Sequence, residues 1–268
     1  GKLTQAFEEV LRESRRLAQH GVLAAELERT KTSLLRGREI AASEQEKQFS
    51  GSFVGQYVGA FINGSVTPSA RTRYALAQRI LPTITKAEID AVLREQAQGT
   101  DRFLSARIPE KASIPVPTRE ALLAIVSRTD TATTTPWTEV TVAGPLVPTV
   151  PKAGRIVSER TIPDLGITEW TLSNGVRVLV KPTDFKADQI LVSAWSPGGA
   201  SLVPDADVIN AQLATTVVAT SGVGSFDAPS LRRRLAGKVA GVNASLDELS
   251  EGFSGSTTPK DLDTFFEV

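Results

Sequence analysis

The sequence predicts an α+β protein in which mixed or antiparallel sheets are covered by helices, and three observations carry that prediction. Apolar residues recur every three or four positions through the first hundred residues. They alternate at period two through the last hundred, and a proline-punctuated stretch separates the two textures. At 268 residues the chain is long enough for two hydrophobic cores, and we expect two partial domains.

Leu3, Phe7, Val10, Leu11 and Leu17 give one amphipathic stripe that stops near Gly21, and Leu27, Leu34 and Ile40 continue a second helix. A third run, Phe53 to Ile62, ends at Asn63-Gly64. Thr67-Pro68 then offers a cap and a first-turn proline. Thr85 with Glu88 has the spacing of a capping box, opening a helix through about Gln98, and Phe103 to Ile108 reads as a strand. Between Glu110 and Pro163 the prolines, the threonines from Thr129 to Thr135 and one short helical pattern, Arg119 to Ser127, read as a connection with little core of its own.

The period of two begins after it. Strand-like segments before and after Asn174-Gly175 predict a type I′ hairpin, because that pair tolerates positive φ at both central positions. Gln189 to Trp195 reads as a strand, and Ser196-Pro197-Gly198-Gly199 as a break. Val208 to Thr220 is apolar on most faces and reads as a buried, core-packing helix. A short helix around Ser230 to Leu235 precedes strands near Val239 to Leu246 and Glu251 to Ser256, and Thr258-Pro259 caps a last helix.

Composition excludes several classes of function. Thirty Lys and Arg balance thirty Asp and Glu, so no net field draws the chain to nucleic acid or an anionic bilayer. No apolar run approaches the roughly 20 residues of a membrane span. With no Cys there is no disulfide framework, which suits periplasm or cytoplasm alike. Zinc needs imidazoles, thiolates or carboxylates converging on one point, and a single His, His20, cannot supply them. Nucleophilic catalysis by Ser or Cys fails for want of a base and a thiol.

Other candidates read as structure. Gly222-Val223-Gly224 lacks the third glycine of a dinucleotide fingerprint and reads as a turn. Arg232, Arg233 and Arg234, with Lys238, read as a solvated face, since Leu231 and Leu235 at i,i+4 define the inner one. Gly198-Gly199 reads as a turn or as a close approach to an extended peptide. His20 complements the dipole at a helix C-terminus.

The segments WTLSNGVRVLVKPTDFKADQI (170–190), SPGGASL (196–202), SGVGSF (221–226), LAGK (235–238) and EGFSGSTTPKDLDTFFEV (251–268) resemble, in letters, order and spacing, the start of the C-terminal half of the pitrilysin/insulinase-type zinc metallopeptidases. GVLAAELERTKTSLLR (21–36) and LPTITKAEIDAVLREQ (81–96) resemble the end of the second domain of that family. The resemblance implies a LuxS/MPP-like metallohydrolase fold. It also implies four similar domains in two halves around a peptide-holding chamber, with zinc bound by an HxxEH motif of the first domain.

Residues 1–112 would then close the second domain, 113–163 would link the halves, and 164–268 would open the third, non-catalytic domain, with both ends falling inside helices. The helix matching the metal-binding one reads INAQLATTVVAT (209–220) and has no ionisable residue. The family's distal Glu ligand and Arg-Tyr pair lie outside the matched segments. No catalytic, metal-binding or substrate-binding residue is therefore assigned to this chain. No cofactor is expected here, and zinc is expected in the parent's first domain. The expected partners are the remaining domains of the parent and its peptide substrate, with bacterial periplasm as the expected compartment and cytoplasm the alternative. The leading reading is a non-catalytic segment of a peptide-hydrolysing metallopeptidase, forming chamber wall and linker. The alternative is a structural or assembly protein of the same fold without metal.

Overall fold

The computed structural model describes residues 3–99, 102–105, 116–139 and 141–268. They form an α+β chain with antiparallel sheets, gathered into two compact units, one of Gly1–Thr32 and Gln78–Val140, the other of Ser33–Ala77 and Thr141–Val268.

Helices come first: α1 (Leu3–His20), α2 (Ala24–Ser43), α3 (Ser50–Asn63), α4 (Ala70–Ile80), α5 (Lys86–Ala97) and α6 (Arg119–Thr131). In the first unit α1 packs against α5 and α6. Arg128 of α6 grips Glu8 of α1 with two hydrogen bonds, Nε to Oε1 at 3.0 Å and Nη2 to Oε2 at 2.8 Å. The end of α1 is tied to the segment after α6. Gln19 donates to Ala132 O and accepts from Thr134 N–H, and His20 Nε2 donates to Thr134 O at 2.7 Å. His20 is therefore a tertiary tether, since its ring nitrogen is spent on a carbonyl of another segment rather than on a helix dipole in solvent.

The Thr85 capping box is present: Thr85 Oγ1 accepts from Glu88 N–H and Glu88 Oε2 accepts from Thr85 N–H. Helix α3 stops at Gly64, whose left-handed conformation lets its N–H reach Ala60 O. The cap of α4 is Ser69, two residues beyond Thr67, because the Ser69 hydroxyl is placed to accept from Thr72 N–H. Helix α6 runs on to Thr131, past Ser127, since Thr129 and Thr131 turn their hydroxyls back onto helix carbonyls. Phe103–Ser105 form no strand, as no neighbouring backbone lies alongside among the described residues, and 106–108 fall outside them.

The second unit holds the sheets. Strands β1 (Ile156–Ile162), β2 (Ile167–Leu172) and β3 (Arg177–Val180) form an antiparallel meander. The prolines around it hid β1 in the connecting stretch of the sequence; it forms because β2 offers a full antiparallel edge. Glu169 of β2 holds the meander together by pairing with Arg160 of β1 and Arg177 of β3. The hairpin turn is not type I′. Among the described residues none other than glycine has positive φ, so Asn174 does not supply the first of the two required, and Gly175 alone does, at φ 87°. Gly175 N–H donates to Leu172 O and Leu172 N–H to Val176 O, giving a three-residue loop closed by a glycine bulge.

The second sheet is β4 (Ile190–Pro197), β8 (Ser250–Thr257) and β7 (Ala240–Leu246) in that order, all antiparallel to the central β8. Between them run α7 (Val208–Ser221), the two-residue strands β5 (Gly222–Val223) and β6 (Phe226–Asp227), and α8 (Ala228–Arg234); α9 (Leu262–Glu267) follows β8. Alternation along β7 separates its two faces: Ala240 is buried and Val242, Ala244 and Leu246 are half-buried, whereas Gly241, Asn243 and Ser245 are exposed. Helices α7 and α9 pack with β7, and the Phe265 ring of α9 closes over Gly255 of β8 on the covered face.

Helix α7 is not a buried helix. Only Ala211 is buried, while Ile209, Leu213 and Val217 are 65%, 54% and 58% exposed. The sequence misled because α7 is apolar all round, so its packed side cannot be told from its bare one by periodicity.

The capping box gives a direct test of the first unit. Thr85→Ala leaves the Glu88 N–H at the start of α5 without its acceptor and should cost about 1 kcal/mol, read as a lowered urea midpoint at unchanged slope.

Candidate functional site

Three places in the structure could carry function, and each is decided by donor chemistry. The first is α7, where the resembling peptidases bear their metal motif. From Val208 to Ser221 no side chain can ligate a cation strongly, and among the described residues no group of three or more His, Cys, Asp or Glu could hold a metal ion. His20, the one imidazole, is tethered to Thr134 O. The residues present do not fit zinc.

The second is a buried ionic cluster in the second unit. Arg36 of α2 is 8% exposed, and its guanidinium meets three carboxylates: Glu39 at 2.7 Å, Asp188 at 3.3 Å and Asp261 at 3.5 Å. It also donates to Thr258 Oγ1 at 3.0 Å. Asp261 is 1% exposed, and its Oδ2 accepts from Val239 N–H and from the Thr258 hydroxyl, both at 3.1 Å, while Lys238 Nζ lies 3.4 Å from Oδ1. Burial opposes ionisation of Asp261, but the Val239 amide, the Thr258 hydroxyl and the Lys238 ammonium outweigh it and hold the carboxyl below its ordinary range. Beside this cluster Glu44 Oε1 accepts the N–H groups of Ala187 and Asp188. Each carboxylate of the cluster has a cationic nitrogen within 3.7 Å, while Arg36 Nε, Glu44 Oε2 and Asp261 Oδ1 are buried without a hydrogen bond among the described residues. The cluster is a structural lock joining the second half of α2, the 184–188 loop and the end of β8.

The third is the uncovered face of the β4-β8-β7 sheet. Direct pairing puts Leu191, Ser193 and Trp195 of β4 on the same side as Ser254 of β8 and Asn243 and Ser245 of β7. Leu191 and Trp195 are 74% and 73% exposed. Within the strands, no position on this face is ionisable.

The remaining candidates settle as structure. Gly222 and Val223 pair with Asp227 and Phe226, so the glycine stretch is a tight hairpin and no phosphate cradle. Arg232 and Arg234 are exposed and Arg233 donates to Ser230 Oγ, while Leu231 and Leu235 are half-buried, as the i,i+4 spacing predicts. A side chain at Gly199 would fall 2.4 Å from Asp247 O, because Gly198, Ala200 and Ser201 donate to the carbonyls of the β7–β8 loop. The close approach at this break is to the chain's own backbone. In the first unit a shallow cleft of about 630 Å³ lies along α1, with Leu17, Leu23 and Trp137 in its wall; Arg16 sits over the Trp137 ring at 5.7 Å.

No family model matches the chain. It is similar to zinc proteases: 25% identical over 221 residues to a PQQL-like zinc protease of Arabidopsis thaliana, covering 82% of this chain and 23% of the relative. It is also 25% identical over 211 residues to a probable zinc protease PqqL of Haemophilus influenzae, covering 77% of this chain and 22% of the relative. The chain thus spans less than a quarter of the length of these relatives. Among solved structures it is similar to the periplasmic protease PqqL of Escherichia coli, at 20% identity and TM-score 0.46, covering 98% of this chain and 29% of that one. It is likewise similar to the ferredoxin protease FusC, at 20% identity and TM-score 0.48, with the same coverage.

The lock can be tested through its titration. A carboxyl whose folded pKa is depressed contributes stability that is complete above its unfolded value, near 4, and is lost as pH falls through the folded value. Asp261→Asn should therefore cost about 2 kcal/mol at neutral pH and flatten the fall of stability below about pH 4, measured by urea unfolding across that window. Arg36→Leu removes the cation shared by Glu39, Asp188 and Asp261 and should cost about 3 kcal/mol in the same assay.

Proposed function

We propose that this chain is a non-catalytic segment of a zinc metallopeptidase, contributing chamber wall and the link between two halves, while zinc and the catalytic groups belong to another domain of a longer protein. The observation that carries the reading is a sequence match across four-fifths of this chain and under a quarter of a zinc protease, with no ionisable residue in the helix that resembles the metal-bearing one. A metal-free assembly protein is the less favoured reading, since both curated relatives are named as zinc proteases.

The wall role draws support from the one-sided sheet. Among the described residues α7 and α9 pack with β7, and Leu191, Ser193, Trp195, Asn243 and Ser245 on the opposite face are exposed, an uncharged surface suited to a lumen. The partners proposed are the remaining domains and the peptide substrate. The compartment proposed is the bacterial periplasm, with cytoplasm the alternative, and no helix among the described residues is long and apolar enough to cross a membrane.

The dialysed 268-residue chain should carry no stoichiometric zinc and cleave no unstructured peptide, whereas the full-length gene product should do both, with chelator-sensitive hydrolysis. One zinc retained per chain by the 268-residue protein, or a full-length product without zinc, would overturn the proposal.

A further inference from the structure

We infer that Arg160 and Arg177, positioned by the buried Glu169, form a binding site for an oxyanion of the phosphate or carboxylate type. The register of the β1-β2-β3 meander builds it. Glu169 of β2 lies directly across from Arg160 of β1. Thr171, two residues on and therefore on the same face, lies across from Ser158 of β1 and from Arg177 of β3. Two guanidiniums, one carboxylate and two hydroxyls thus share one patch of one sheet face.

The carboxylate is the buried member of the patch and the arginines are the outer ones. Glu169 is 8% exposed, whereas the side chains of Arg160 and Arg177 are 65% and 66% exposed. Arg160 gives Glu169 Oε2 its Nε and Nη2, and Arg177 gives Oε1 its Nε at 2.8 Å. These bonds hold the Glu169 carboxyl below its ordinary range, so it stays ionised beneath both cations. Among the described residues no other acceptor meets either guanidinium, which leaves Arg160 Nη1 and both Nη groups of Arg177 as donors. The Ser158 and Thr171 hydroxyls, level with Arg177, add two more.

Charge and geometry together select the ligand. One carboxylate neutralises one of the two guanidiniums, so the patch keeps a positive charge in a chain whose total is zero. Charge balance at a single buried acid calls for a single cation, and the second arginine is in excess of it. A guanidinium fork matches two oxygens of a carboxylate or phosphate. Glu169 already fixes the Nε edge of each arginine, so less side-chain entropy is lost on binding than a free surface arginine would lose. A cation would be repelled from the same patch.

The test follows the Nε–H resonances of Arg160 and Arg177 by NMR in the isotope-labelled 268-residue chain, titrated with inorganic phosphate, with acetate, and with chloride at equal ionic strength. Phosphate or acetate should shift both resonances saturably, with a dissociation constant on the order of 1 mM, and chloride should not. Arg177→Lys keeps the charge and loses the fork, and should weaken binding about five-fold or more, read at Arg160. Thr171→Val keeps the charge and the strand and should weaken it about two-fold. Arg234→Gln, on exposed α8, should leave it unchanged.

Saturation by phosphate alone assigns a tetrahedral anion and saturation by acetate alone a planar one, and either supports the site. A shift that never saturates, a shift that chloride reproduces, or equal binding by Thr171→Val and Arg177→Lys and the parent chain would overturn the inference. Should Arg177→Lys lose the dispersed spectrum of the fold, Thr171→Val decides alone. The site is independent of the peptidase reading, and its failure would leave that reading untouched.

Discussion

The second unit is organised around one buried guanidinium. Arg36 brings Glu39, Asp188, Asp261 and Thr258 to a single point, and those residues lie on α2, on the loop before β4 and at the end of β8. Burying such a group is unfavourable unless each lost hydration contact is replaced. Replacement here is partial and fixes geometry: Arg36 Nη2 reaches Asp188 and Thr258, and Asp261 Oδ2 takes the Val239 N–H and the Thr258 hydroxyl, only when the β8 end and α2 stand at one separation, while Arg36 Nε stays buried without a hydrogen bond. Apolar contacts tolerate sliding and this cluster does not. Asp261, through Val239 N–H, also sets the entry to β7, so the register of the edge strand follows from the same lock.

That lock was not legible in the sequence. Arg36 and Asp261 are 225 positions apart, and nothing local marks either as buried; both sit among other charged residues. What was legible followed from short-range chemistry. The Thr85–Glu88 box, the Gly64 stop and the strands around residues 190–197 and 240–257 are set by neighbours within a few residues, and they stand as read. The failures have the opposite character. The Asn174-Gly175 turn took a three-residue loop because the register of β2 on β3 decides which turn fits. Phe103–Ser105 had strand-forming residues and no strand beside them.

Helix α7 and the β4 face share one lesson about reading function from composition. The apolar pattern of α7 predicts core, yet the helix displays Ile209, Leu213 and Val217 to solvent, and Trp195 reads in the sequence only as the end of a strand. Burial is a property of what packs against a surface, and periodicity reports a face without reporting whether anything covers it. The negative part of the site was legible for a stronger reason. Metal coordination needs particular atoms, and one imidazole with no thiolate excludes histidine- and cysteine-rich zinc sites before any fold is known.

The two sheets of the second unit differ in the charge they carry. On the β1-β2-β3 meander the exposed Arg160 and Arg177 pair with the buried Glu169. The two sheets belong to the same unit and the same chain, so composition cannot account for the contrast. Small hydroxyl and amide side chains around two large apolar ones keep the second surface wettable while Leu191 and Trp195 stay exposed on it.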